Sequence, residues 1–167
     1  MVMSPVPSVR ELADADVDAV TDAVLTASRL LMSVSARSIA AVDDTITIPQ
    51  FRLLVVLHAR GPVKLTAIAG ALAVNPSTAT RMVERLVTTG LVSRDPHPTS
   101  RRELVVGLTE RGQGAVLEVM RRRRTQINRI VTQMTPTARR NLVRALSAFA
   151  AAGGVTSNGD VADLVWL

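Results

Sequence analysis

One stretch constrains the fold more than any other: NPSTATRMVERLVTTGLVSRDPHPTSRR, from Asn75 to Arg102. Asn75 is a helix-capping residue and Pro76 suits the first helical position, where no amide hydrogen is needed. Gly90 stands where a helix of about three turns would stop. Leu91-Val92-Ser93-Arg94 and Leu104-Val105-Val106 then read as two strands. The loop between them holds Pro96, Pro98 and the adjacent pair Arg101-Arg102. A capped helix running straight into a hairpin fits few small domains.

The flanking sequence narrows the choice. From Asp16 to Ala41, apolar residues recur at spacings of three and four (Val17, Val20, Val24, Ala27, Leu31, Val34), one face of a long helix suited to packing on another helix. Thr47-Ile48-Pro49-Gln50 reads as a capping box that opens the apolar helix FRLLVVLHAR, stopped at Gly61-Pro62. Thr66 to Ala73 makes a short third helix. Thr109 opens a long helix running to about Met134. Thr135-Pro136 repeats the cap-plus-proline start for a last helix that stops at Gly153-Gly154. The fold class is mainly α with a small β-hairpin wing: a winged helix-turn-helix lobe plus N- and C-terminal dimerisation helices. The expected division is a tail over 1–15, a dimerisation helix over 16–45, the lobe over 46–108, dimerisation helices over 109–152 and a tail over 153–167.

Charge points the same way. Residues 1–50 carry three bases and seven acids, residues 51–105 eight and three, and residues 106–167 nine and four. The positive excess begins with the lobe, and a basic lobe suits a polyanionic partner. The chain has no cysteine, and its two histidines, His58 and His97, are far apart. Thiolate chemistry, disulfides and cysteine metal sites are excluded, and no metal or cofactor is expected. The longest uncharged run, between Lys64 and Arg81, contains Asn75, Pro76 and several threonines, unlike the about 20 apolar residues of a membrane span. With no apolar signal core in MVMSPVPSVRELADAD, a soluble cytoplasmic protein is expected.

On a wheel of residues 76–88, Ala79, Met82, Val83 and Leu86 share one side, while Ser77, Arg81, Glu84 and Thr88 lie opposite, flanked by Thr78, Thr80 and Arg85. Small hydroxyls near the N-terminus let the backbone approach a surface, and the helix dipole there favours phosphate. Arg81, one turn in, can reach a guanine edge or a phosphate. An arginine pair on the hairpin can enter the neighbouring minor groove. Lys64 adds a phosphate contact from the start of the third helix. Taken singly, such a helix is a solvated surface and such arginines are surface charges; it is the order of elements that makes them one DNA-reading unit. Arg121-Arg122-Arg123-Arg124 point in four directions on a helix, so that run solvates or pairs with acids such as Glu118.

The pattern TRMVERLVTTGLVSRDPHPTSRRELVVGLTERG, with TIPQFRLLVVL and LTAIAGAL before it, resembles MarR-family transcriptional regulators over roughly residues 16–152. The resemblance implies a homodimer joined by its terminal helices. It implies a palindromic operator in double-stranded DNA, and release on binding a small lipophilic or phenolic effector. Thr80 and Arg81 match the base- and phosphate-contacting pair, Arg94 the arginine ending the first wing strand, and Arg101 and Arg102 the wing arginines. Where the family has Asp before that pair, this chain has Ser100. Ser100 cannot form the ion pair that braces the wing, which leaves Asp95 or Glu103 to substitute, or a looser wing. The lack of cysteine excludes the thiol-oxidation branch of the family. The expected DNA-binding set is thus Lys64, Ser77, Thr78, Thr80, Arg81, Arg85, Arg94, Arg101 and Arg102.

Two other classes stand beside this reading. A winged-helix module could turn the same arginines on an acidic protein partner. An enzyme would need a nucleophile and base in one cleft, and the sequence has no serine elbow, metal spacing or phosphate-cradling glycine loop.

Overall fold

The computed structural model describes residues 9–97 and 100–154, and side chains over 16–96 and 104–154. In chain order come α1 (Val9–Ala40), α2 (Ile48–Arg60), β1 (Val63–Lys64), α3 (Leu65–Leu72), α4 (Pro76–Thr88), β2 (Val92–His97), β3 (Ser100–Leu108), α5 (Glu110–Thr132) and α6 (Pro136–Ala152). No helix among the described residues is long and apolar enough to cross a membrane.

α2 is the centre of the lobe. Phe51, Leu53, Leu54, Val55, Val56 and Leu57 are all buried, so this helix is enclosed on nearly every side. Its start is the expected capping box: Thr47 N–H donates to Gln50 Oε1 at 2.8 Å, and Gln50 N–H donates back to Thr47 Oγ1 at 3.4 Å. Replacing Thr47 by Ala removes one half of this pair and should cost about 1 kcal/mol. Circular-dichroism melting would then show a midpoint about 2–4 °C lower. Around α2 gather Ile68 and Leu72 of α3, Ala79, Val83 and Leu86 of α4, Leu91, Val92 and Val106, and Val116 and Val119 of α5.

Several boundaries differ from expectation. α1 starts at Val9, not Asp16, so residues 9–15 belong to the helix rather than to a tail. RELADAD lacks a clear apolar period but has neither Gly nor Pro, and helix propensity carries the segment. The sheet has three strands, not two, in the order β1-β3-β2 and antiparallel throughout. β1 pairs Val63 with Val106 and Lys64 with Val105. Pro96 lies within β2 opposite Leu104 rather than in a loop. β2 is an edge strand, where proline's missing donor costs no ladder bond.

α1 and α6 stand largely outside this core. Val34 and Ile39 near the end of α1 are buried, but Val17, Val20, Leu30, Leu31 and Met32 are exposed. α6 buries no residue at all, and Val143 and Phe149 are 66% and 57% exposed.

Candidate nucleic-acid interface

The local sequence fixes both ends of α4. Asn75 Oδ1 accepts from the Thr78 N–H and from the Ser77 hydroxyl, both at 2.8 Å, and Pro76 fills the first position. At the other end Thr89 is the C-cap and Gly90 takes φ +71°. Leu91 N–H donates to Leu86 O and Gly90 N–H to Val87 O, each at 2.9 Å, so a Schellman motif closes the helix. The apolar side is fixed: Ala79, Val83 and Leu86 are buried and Met82 partly so.

The opposite face is open. Ser77, Arg81, Glu84, Arg85 and Thr88 are exposed, and Thr78 and Thr80 are half-buried. Thr80 Oγ1 donates to Pro76 O at 2.9 Å, so its hydroxyl hydrogen is used within the helix and its methyl and lone pairs remain for a ligand. Arg81 and Arg85, one turn apart, share a shallow cavity of about 280 Å³ with Thr78, Met82, Thr47 and Gln50. The capping box of α2 therefore forms one wall beside the two arginines. Neither guanidinium has a hydrogen-bond or ion-pair partner among the described residues.

Arg94 meets an acid of the reading helix. Its Nη2 lies 4.0 Å from Glu84 Oε1, so it ties β2 to the polar face of α4. Both side chains are partly exposed, so the pair is a weak one. Glu84 was visible on the wheel, but the sequence could not show that a strand residue would meet it. Lys64 ends β1 and is the N-cap residue of α3, on the sheet edge away from β2.

Arg101 and Arg102 lie in β3 rather than at a hairpin tip. His97 pairs with Ser100 and Pro96 with Leu104, so the ladder is irregular and Arg101, Arg102 and Glu103 have no partner position on β2. Such a bulge is a common means of re-aiming side chains at the rim of a sheet. Their side chains, and those of His97 and Ser100, lie outside the described residues, as do Pro98 and Thr99 entirely. Asp95 Oδ2 accepts from Ser93 Oγ at 2.7 Å.

The arginine run on α5 divides as its geometry requires. Arg121 grips Glu118 through two 2.7 Å hydrogen bonds and Arg122 adds a third at 2.6 Å. These bonds, from Arg121 first and Arg122 second, lower the Glu118 pKa to about 2. The carboxylate thus keeps its partners well below the ordinary 4.5, and their contribution is lost only as pH falls from that value towards 2. Arg124 is exposed and Arg123 is half-buried.

The sequence model of the MarR family matches residues 46–104, from the turn before α2 to the middle of β3. The curated HTH-type transcriptional repressor NicR of Pseudomonas putida is 39% identical over 80 residues, 48% of this chain and 50% of NicR, so about half of that relative's length is matched. The crystal structure of RV1404 from Mycobacterium tuberculosis is 54% identical, with a TM-score of 0.77, over 92% of this chain and 99% of that one. The transcriptional regulator Tm0710 from Thermotoga maritima is 25% identical, with a TM-score of 0.63, over 79% and 92% of the two chains. A recognition helix capped at both ends, a three-stranded wing sheet and these likenesses agree: the chain belongs to the MarR family of transcriptional regulators.

Proposed function

We propose that the protein is a ligand-responsive transcriptional repressor that binds a palindromic operator in double-stranded DNA as a homodimer. The observation that carries this reading is α4: apolar side buried, both ends capped, Arg81 and Arg85 exposed and unpaired among the described residues. Inserted in a major groove, its N-terminal turn offers hydroxyls and backbone N–H groups to phosphate while Arg81 reads a base edge. Arg101 and Arg102 on the wing reach the adjacent minor groove.

The homodimer is supported by what α1 and α6 leave uncovered. Helices in proteins draw most of their stability from a packed amphipathic face, and α6 buries no residue within the protomer. A second copy that covers Val17, Val20, Leu146 and Phe149 supplies it. In the dimer the two copies of α4 stand ~34–36 Å apart, one turn of B-DNA.

The effector reading is supported by an apolar cavity of about 340 Å³, whose lining includes Leu31, Met32, Ile48, Leu146, Phe149 and Arg123. Arg123 is the only charged residue of that lining, and its Nε is buried with no partner among the described residues. Burial lowers its pKa. A small lipophilic or phenolic effector with an acidic group fits this chemistry, and typical coupling between such sites is ~1–3 kcal/mol.

The dimer is tested by sedimentation equilibrium. The wild type should sediment with twice the protomer mass. Val143→Asp combined with Phe149→Asp should give folded monomer and at least about a tenfold loss of operator affinity, since two exposed apolar contacts become buried charges only in the dimer. A double variant that stays dimeric would remove α6 from the interface.

A further inference from the structure

Three consecutive carbonyls at the C-terminal end of the recognition helix are taken by the first turn of α5. Thr89 O accepts from Arg111 Nη1 at 2.7 Å, Gly90 O from Thr109 Oγ1 at 2.7 Å, and Leu91 O from Thr109 N–H at 3.2 Å. Arg111 also reaches the other way. Its Nη2 lies 3.6 Å from Asp43 Oδ2, in the turn that ends α1. Asp43 is itself held in place, because its Oδ1 accepts from Thr45 N–H at 3.0 Å and from Thr45 Oγ1 at 2.6 Å. These Thr45 bonds, with the attraction of Arg111, lower the Asp43 pKa, so the carboxylate is charged throughout the neutral range. One guanidinium therefore joins the end of α1, the start of α5 and the end of α4.

We propose that Arg111 is a positioning residue for DNA reading: it passes the angle between α1 and α5 to α4 and thereby fixes the spacing of the two recognition helices. This rests on the dimeric, DNA-reading function proposed above. α1 and α5 are helices of the dimer, so a change in their crossing must act on α4 through the contacts at its end. Thr109 supplies two of those contacts, both to the segment that ends α4. Arg111 alone of these donors also bears on α1. Arginine suits the task because its planar fork aims separate N–H groups at two partners, and a lysine ammonium cannot hold both.

The test uses an operator selected by the full-length wild type from random duplex DNA, and versions with the half-sites one base pair closer or further apart. Wild type should bind the selected spacing best. Arg111→Ala and Arg111→Lys should reduce that preference about fivefold, the scale of one net hydrogen bond, without weakening nonspecific binding. Asp43→Asn, which keeps the turn acceptor but drops the charge, should move it in the same direction. An operator-independent readout exploits the absence of cysteine: spin labels on Thr88→Cys report the distance between the two copies of α4 by pulsed electron resonance. Arg111→Ala should broaden that distribution. Unchanged spacing preference and an unchanged distribution would overturn the proposal. If the wild type selects no sequence, the DNA-reading function fails by itself; a broadened distribution would then still support the strut, and an unchanged one would sink it too.

Discussion

Replacing Arg81 by Ala should lower operator affinity about 10- to 100-fold, the range expected when a bidentate base contact is lost from a reading helix. Arg81 is exposed on α4 and has no hydrogen bond or ion pair among the described residues, so its removal breaks nothing in the free protein. Thermal stability should therefore stay within about 0.5 kcal/mol of wild type. A surface arginine with no reading role would leave affinity and stability unchanged, and a structural one would lower the melting temperature. Arg85→Ala, one turn further from the N-terminus, should cost less and should weaken binding to all sequences alike, as a phosphate contact does. Affinities of both variants, measured with operator and with a scrambled duplex, distinguish base reading from charge.

The second large effect concerns stability. Gly112→Ala should destabilise the protein by about 3 kcal/mol, at the upper end for an overpacked site. A Cβ at Gly112 would stand 1.9 Å from Leu91 O and 3.2 Å from Leu108 Cδ2. The first of these atoms is backbone and cannot swing aside. Relief requires α5 to lift from the end of α4, which breaks the Thr109 N–H bond to Leu91 O and the Thr109 Oγ1 bond to Gly90 O. The melting midpoint should fall by about 6–12 °C. Gly114 is the control. Nothing lies within 4 Å of a Cβ there, so Gly114→Ala in the same helix should leave the midpoint unchanged or raise it. Equal midpoints for the two variants would mean that α5 and α4 are not held at the observed distance.

What the sequence disclosed and what it hid follow from the range of the interactions concerned. Caps are local, so Thr47, Asn75, Thr109 and Thr135 marked helix starts that the structure bears out, each with its side chain accepting from the expected turn. The amphipathic period of α4 is local too, and its buried set of Ala79, Val83 and Leu86 was readable from a wheel. β1 was not. Two residues carry no period, and Val63–Lys64 is a strand only because β3, some forty positions later, lies alongside. The same limit hid two ion pairs among the described residues. Arg94 meets Glu84 across a turn, and Arg111 meets Asp43 from the far side of the domain. The apolar face of α1 was legible as a stripe suited to packing on another helix, and Val17, Val20, Leu30 and Leu31 are exposed in the protomer.

The function proposed for α4 is sequence-selective DNA reading. Its most direct test is fluorescence anisotropy with labelled duplexes from around the protein's own gene, at several salt concentrations. One duplex should bind far more tightly than its scrambled version, with log affinity falling linearly as log salt concentration rises, because phosphate contacts release counterions. Equal, weak binding to every duplex would contradict it. The arginines of the lobe would then be surface charge, and an acidic protein partner would become the better reading.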